Sequence, residues 1–289
     1  MKYNINNKHF LAAVFAVVLG SAACMTAFPS CEQLSVLENR EDCPSWLDIH
    51  LTGVEPGDTL AMALFRGSEV PRSGWGMGSI FTGNVLVSDS LYRERKVQFE
   101  VPRGWVAESA VLNPGRLPSD GDRFLVPEGE QAPRFYGWNS AVSCTGEFSA
   151  DTLVLGKQFC NVRLDVGGIS EYPCPYSFVV RGSCDGWDRL TFTPVEGDYT
   201  YAFAVDSDLC ATFRLPRQGE DWPLELDIVD ALDGKTVQVI PLLVYFQNVG
   251  YNWNARSLSD IIIRLTLAQT GFTVTAEQWV SGDDFIISK

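Results

Sequence analysis

Histidine is almost absent from this sequence, and its scarcity excludes several kinds of enzyme. The chain of 289 residues has 2 histidines, which are His9 and His50. A Ser-His-Asp triad needs a histidine as its base, and many zinc sites need several histidines as ligands. His50 falls on the polar side of an alternating segment, which predicts an exposed strand position. We therefore expect neither a triad nor a multi-histidine metal site.

Other signatures of chemistry are also missing. No two cysteines have CxxC spacing, and there is no nucleophile elbow or metalloprotease motif. The glycine-rich stretch 74–78 lacks the lysine and the strand–helix setting of a phosphate-binding loop. Two acidic pairs, Asp185 with Asp188 and Asp283 with Asp284, could line a sugar cleft or hold calcium, but loop acids on an acidic surface are the simpler interpretation. The sequence predicts a protein that is not an enzyme and has no metal or cofactor.

Basic charge is scarce. The chain has 22 lysines and arginines against 36 acidic residues, and its formal net charge is −14. Nucleic acids and anionic lipid surfaces would be repelled by such a chain. We predict no nucleic-acid partner.

The sequence also lacks an apolar run long enough to span a membrane. A bilayer needs about 20 predominantly apolar residues, whereas the apolar segment here runs only from Phe10 to Gly20. It follows Lys2 and Lys8 and precedes the small residues 21–23. Weak positive charge, a short apolar run and small residues, in this order, are typical of a secretion signal. We assign residues 1–30 to a lipoprotein signal peptide.

Two cysteines compete as the lipid acceptor. Cys24 follows the apolar run directly, whereas choosing Cys31 leaves six cysteines, an even number that suits an oxidising compartment. We choose Cys31, with Cys24 as the alternative; a cleaved signal on a soluble periplasmic protein is a further alternative. Residues 31–44 are acidic and polar and predict a solvated tether, which also resembles the surface-export signals of some Gram-negative lipoproteins. The disulfide candidates, whose pairing stays open, are Cys43, Cys144, Cys160, Cys174, Cys184 and Cys210.

Most of the remaining chain predicts short strands. Residues 46–52 place Leu47, Ile49 and Leu51 on one face and polar side chains on the other, which is the period of a half-buried strand. Similar segments recur, including 84–91 and 190–193, while 113–131 predicts a surface loop and 241–249 the one short helix. The series starts again after Gly156. The sequence therefore predicts an all-β protein with two tandem antiparallel β-sandwich domains, 45–156 and 157–289.

Aromatic residues are plentiful, at 12% of the chain with 8 tryptophans. They favour a folded core. Four tryptophans in predicted loops, Trp75, Trp138, Trp187 and Trp253, could instead form a glycan-binding platform. Packing at the edge of a sandwich is the commoner role for such residues.

Four segments in a fixed order resemble the FimB-type minor fimbrial subunits, the lipoprotein anchors and assembly factors of type V pili in Gram-negative bacteria. The resemblance implies two transthyretin-like β-sandwiches and no catalysis. The segments are Arg40–Pro44 before the first strand, Phe213–Leu215 before the strand 224–229, Pro241–Trp253 before Leu258–Ile261, and the last strand ending at Trp279.

This resemblance implies an outer-membrane, lipid-anchored, surface-exposed protein that binds fimbrial stalk or accessory subunits. Pilus subunits assemble when a strand of one completes the sheet of another. The candidate contacts are Trp46 and Ile49 on the first strand and Phe272, Val274 and Trp279 on the last. The alternative is a glycan-binding lipoprotein of a nutrient-uptake system, and an adhesin or inhibitor is the third possibility.

Overall fold

The computed structural model describes residues 43–71, 78–169, 173–268 and 271–279. The predicted signal peptide, both acceptor candidates (Cys24 and Cys31), Trp75, Asp283 and Asp284 lie outside these residues. Residues Ser45–Lys289 form one compact unit. No helix in the described ranges is long and apolar enough to cross a membrane.

The first half of the unit is a sandwich of two sheets. The strands of this half are β1 (Ser45–Thr52), β2 (Thr59–Arg66), β3 (Ser79–Leu86), β4 (Lys96–Val101), β5 (Gly104–Leu112), β6 (Ser119–Asp120), β7 (Arg123–Leu125), β8 (Tyr136–Cys144), β9 (Phe148–Val154) and β10 (Gly156–Lys157). One sheet has the strand order β4-β1-β9 and the other β10-β8-β5-β2-β3.

The second half is a larger sandwich. Its strands are β11 (Phe159–Gly167), β12 (Tyr176–Asp188), β13 (Pro194–Phe203), β14 (Cys210–Pro216), β15 (Leu224–Asp230), β16 (Thr236–Pro241), β17 (Asp260–Ala268) and β18 (Gly271–Trp279). Its sheets have the orders β14-β11-β17-β18 and β16-β15-β12-β7-β6, and β13 also pairs with β12. The prediction of an all-β protein built from sandwiches is confirmed.

The alternating pattern of β1 explains how its strand is oriented. Leu47 and Ile49 are completely buried and Leu51 is nearly so, in a core cluster between the two sheets of the first sandwich. His50 lies on the exposed face, as predicted. Period-two burial of this kind fixes the register, because a slip of one residue would turn every apolar side chain to solvent.

Both sandwiches begin with the same pairing order. β1 is antiparallel to β4 and parallel to β9. In the same way, β11 is antiparallel to β14 and parallel to β17. These parallel pairs differ from the prediction of antiparallel sandwiches. They arise because the first strand of each half pairs with a strand that comes late in that half. In the second sandwich, β18 lies next to β17 at the edge of the sheet. Among the described residues of the first sandwich, no strand lies in the matching position next to β9.

A hairpin from the first half belongs to the sheet of the second. β6 and β7 pair with each other, and β7 pairs with β12. Phe124 of this hairpin is buried and its ring lies 5.3 Å from that of Phe135, which in turn lies 5.2 Å from Trp187. The prediction of a surface loop over 113–131 is therefore wrong for the hairpin, because Phe124 anchors it in the second core. The boundary between 45–156 and 157–289 stays a prediction, and this hairpin crosses it.

Two short α-helices and a 3-10 helix (Pro114–Arg116) complete the described structure. α2 (Leu242–Asn248) matches the predicted helix closely. α1 (Asp89–Glu94) lies where a strand was predicted up to Leu91, so that prediction is wrong beyond Leu86. The Ser88 side chain accepts a hydrogen bond from the backbone N–H of Leu91, and this cap starts the helix.

Candidate functional site

The first predicted contact strand, β1, has no open edge in the described structure. It lies between β4 and β9, so both rows of its backbone groups face a neighbouring strand. Ile49 is completely buried, whereas Trp46 is 37% exposed. A partner would reach β1 in this form only through side chains such as Trp46.

The second predicted contact strand, β18, lies at the edge of its sheet. It pairs with β17 over nine consecutive residue pairs, from Asp260 opposite Trp279 to Ala268 opposite Gly271, without a register shift. No strand of the described residues pairs with its other edge. Such an edge offers unpaired N–H and C=O groups to an incoming strand.

Side chains on both faces of β18 contact the rest of the second sandwich. Phe272 and Val274 pack against the core of the second sandwich, and the Phe272 ring lies 5.3 Å from that of Tyr176 on the facing sheet. On the exposed face, Arg264 Nη2 lies 2.6 Å from Glu277 Oε1. The surface ion pair contributes little free energy, so core packing is what positions the strand.

The two ends of the open edge contact neighbouring elements. The Phe272 N–H donates to Gln238 Oε1 of β16 at 3.4 Å, and Gln278 Nε2 donates to the carbonyl of Val249 at 3.1 Å. The Phe272 N–H therefore faces away from β17. Backbone groups alternate in direction along an antiparallel strand, so the N–H groups of Val274 and Ala276 face the open edge as well. Sequence reasoning missed the two glutamines, since nothing local in the sequence links them to β18.

Two other edge strands, β3 and β16, carry no charged side chain, and each differs from β18 in having a register shift. β3 has a register shift opposite Leu64 and Phe65, and β16 has one opposite Ile228 and Val229. Such irregularities protect natural sheet edges from pairing with another chain. β18 has nine residues, one charged side chain (Glu277), no proline and no shift. Its geometry suits the addition of a strand.

The predicted tryptophan platform does not form from the three described members. Trp138 is 1% exposed, Trp187 is completely buried and Trp253 is 2% exposed. Trp138 and Trp187 lie on β8 and β12, so their placement in loops was wrong. They pack the two cores, which is the commoner role named above.

The cysteines form no disulfide with one another within the described ranges. Cys160 pairs with Leu215 whereas Cys210 pairs with Asp165, so the two cysteines lie five residues apart along one ladder. That separation is about 16 Å, which is too long for a disulfide. Burial raises the pKa of the Cys184 thiol to about 12. The expectation of disulfides has no support in this structure for Cys43, Cys144, Cys160, Cys174, Cys184 and Cys210.

Asp188, which was predicted to form an acidic pair with Asp185, has a structural role. Asp188 Oδ1 accepts hydrogen bonds from the backbone N–H groups of Leu190 and Thr191, at 3.0 and 2.8 Å. These bonds fold residues 190–193 into a turn, so the strand predicted there is wrong. The described part of the chain contains no cluster of three or more potential metal ligands.

Solved structures with this fold include fimbrial proteins. The fimbrial anchor protein Mfa2 of Porphyromonas gingivalis matches with a TM-score of 0.56 at 13% identity, over 83% of this chain and 98% of that one. A protein from Bacteroides thetaiotaomicron described as a candidate polysaccharide-binding protein gives 0.55 at 12% identity, over 84% and 99%. A candidate adhesin from the same organism gives 0.54 at 12% identity, over 82% and 97%.

These similarities confirm the resemblance at the level of the fold. The chain shares the architecture of a fimbrial anchor over nearly the whole length of that anchor. No family model and no curated protein matches the sequence.

Proposed function

We propose that this protein is a minor fimbrial subunit that docks a fimbrial stalk or accessory subunit through the open edge of β18. The observation that carries the proposal is the unpaired, regular edge of this strand, whose inward side chains are already packed. An incoming strand would gain backbone hydrogen bonds without disturbing the core. The shared fold of a fimbrial anchor supports the proposal.

The proposal extends to the location of the protein. A lipid on Cys31, or on Cys24, would hold the N-terminus in the outer membrane while residues 31–44 act as a tether. The two sandwiches would then stand at the cell surface. Phe272, Val274 and Trp279 are the side chains that would set the register of the added strand, and Trp46 is an exposed secondary contact.

A deletion strain complemented with variants tests the proposal. Ala276→Pro removes an N–H group from the open edge and leaves the hydrogen bonds to β17 intact, because the N–H group of Ala276 faces away from β17. We expect deletion to release fimbriae into the medium or change their length, and Ala276→Pro to fail in restoring the normal state. Ala276→Ser keeps the N–H at the same position and serves as the matched control.

Two measurements decide the outcome. Binding of the purified full mature protein to fimbrial subunits should weaken at least tenfold in Ala276→Pro and stay unchanged in Ala276→Ser. Normal attachment and normal length of fimbriae in the deletion strain would refute the role. Equal binding by the two variants would instead refute β18 as the contact.

A further inference from the structure

A cavity of about 170 Å³ lies at the junction of the two sandwiches. The first sandwich contributes residues 137–139 of β8 to its wall, and the second contributes the loops 191–194 and 254–256. Gln158 and Arg217 complete the lining. No residue of β18 lines the cavity, so the inference below does not depend on the function proposed above.

Arg217 is a buried cation that has no carboxylate partner in the described structure. It is 7% exposed. Its Nε and Nη2 atoms donate to Gln158 Oε1 at 3.1 and 2.7 Å, and Nη2 also donates to the Ala255 carbonyl at 2.9 Å. Nη1 donates to the Trp253 carbonyl. A guanidinium has five N–H donors, so one donor remains, and the charge itself is not neutralised.

Burial lowers the pKa of the Arg217 guanidinium to about 10, which leaves the group charged at neutral pH. A buried charge without a counter-charge is costly. The carbonyls and the amide of Gln158 satisfy the hydrogen bonds of Arg217 but supply no negative charge. An anionic group in the cavity would supply it.

A second arginine lines the same cavity. Arg256 is exposed, while its backbone carbonyl accepts a hydrogen bond from Gln158 Nε2 at 3.2 Å. No acidic residue is among the residues that line the cavity. In a chain with a net charge of −14, a cavity lined by two arginines and no acidic residue differs in charge from the protein as a whole. Guanidinium groups suit carboxylates, which they bind through two parallel hydrogen bonds.

The walls of the cavity are held in position before any ligand enters. Asn139 Nδ2 donates to the Thr191 carbonyl at 3.0 Å, which ties the loop of the second sandwich to β8. Phe192 in that loop has a φ of 58°, a left-handed conformation that is rare for a large side chain. Its ring packs on Gly137 so closely that a Cβ there would lie 2.8 Å from it. Backbone held in such a conformation is common at binding sites.

The size and chemistry of the cavity fit one sugar ring. An engineered cavity of about 150 Å³ accepts benzene, so 170 Å³ accommodates a six-membered ring. Thr191, Thr193 and Asn254 lie along the wall. Hydroxyl and amide groups such as theirs bind sugar hydroxyls.

We propose that this cavity binds a carboxylate-bearing sugar, namely a uronic acid residue of a glycan. The carboxylate would lie against Arg217 and Arg256, and the ring against Thr191 and Thr193. An inorganic anion would leave most of the cavity unfilled. An acidic side chain of a peptide would use the arginines without using the remaining wall.

Isothermal titration calorimetry of the full mature protein with glucuronic acid and with glucose tests this assignment. We expect glucuronic acid to bind at least tenfold more tightly than glucose. Arg256→Ala should weaken binding at least tenfold, because it removes one of the two arginines that line the cavity. Arg116→Ala, which removes an exposed arginine that does not line the cavity, should leave the affinity unchanged.

Three results would overturn the assignment. They are equal affinity for glucose and glucuronic acid, no binding of glucuronic acid or of a short polyuronate at millimolar concentration, and an unchanged affinity in Arg256→Ala. Binding of a glutamate-rich peptide without binding of glucuronic acid would point to an acidic protein partner instead of a sugar. Asn254→Ala gives a second check, because it should weaken the binding of glucuronic acid and leave that of acetate unchanged.

Discussion

Lys157 Nζ lies 2.7 Å from Asp260 Oδ1, and the two side chains are 2% and 0% exposed. Lys157 belongs to β10, which pairs with β8 of the first sandwich, whereas Asp260 begins β17 of the second. Asp260 also accepts hydrogen bonds from the backbone N–H and the Nδ2 group of Asn161, at 2.7 and 3.0 Å. This buried pair therefore connects the two sandwiches at the start of β17, the strand that pairs with β18.

Removing one member of this pair should be far more harmful than replacing both. Asp260→Ala removes the carboxylate that lies against the buried ammonium of Lys157, and we expect a loss of about 3–5 kcal/mol in the free energy of unfolding. The double variant Lys157→Met, Asp260→Leu removes both charges and should recover most of that loss. Urea denaturation of the three proteins measures the difference. A double variant as unstable as Asp260→Ala would contradict the prediction.

Glu108 should make the protein less stable as the pH rises. Its side chain is completely buried on β5, and burial together with the nearby Asp151 raises its pKa from 4.5 to about 8. Between these two pKa values the unfolded chain releases a proton that the folded chain keeps, so the free energy of unfolding falls as the pH rises. Glu108→Gln should therefore stabilise the protein by up to about 3 kcal/mol at pH 7.

Thermal melting at pH 4 and pH 7 checks this prediction. The stabilising effect of Glu108→Gln should be small at pH 4, where the carboxyl group is protonated in both states. Glu94→Gln, an exposed substitution on α1, serves as the control and should change stability little at either pH. An equal effect of Glu108→Gln at both pH values would contradict the assigned cause.

Gly156 should not tolerate even a methyl group. A Cβ at this position would collide with the backbone carbonyl of Arg256, and backbone cannot move aside as a flexible side chain can. We expect Gly156→Ala to destabilise the protein by about 2–4 kcal/mol, as overpacking against a fixed element does. Gly115→Ala is the control, because a Cβ there meets nothing within 4 Å. Equal stability of the two variants in urea would disprove the close approach.

The lipid attachment is tested at the N-terminus. Mass spectrometry of the N-terminal peptide of the native protein should show an acylated Cys31, and Cys31→Ser should release the protein from the outer membrane. Cys24→Ser is the matched variant, and it should leave the membrane fraction unchanged. Release by Cys24→Ser alone would transfer the acceptor role to Cys24, and an unmodified native N-terminus would exclude both.

Alternation was enough to predict most strands, because burial on one face imposes a period of two. The segment 46–52 and the last strand were predicted within one or two residues of their observed bounds. The helix at 242–248 was predicted from its leading proline. The short α1 was missed because one hydroxyl cap at Ser88 decides it, which a periodic pattern cannot reveal.

The contacts at the junction were beyond prediction for a different reason. Arg217 donates hydrogen bonds to Gln158 and Ala255, which are 59 and 38 positions away in the sequence. Only the complete topology brings them together, and an isolated arginine after a strand has no distinguishing local pattern. The open edge of β18 was similarly hidden, because a sequence shows that a strand exists but not how many neighbours it has.

The hairpin of β6 and β7 also has a consequence for how the chain could be divided. The chain crosses from one sandwich to the other three times, after β5, before β8 and after β10. Separating the halves would therefore require cutting the chain at three places. A fragment that begins at residue 157 would lack Phe124 and Phe135, and Trp187 would lose the rings that cover it. The second sandwich therefore cannot be expressed from residue 157 onward without a gap in its own core.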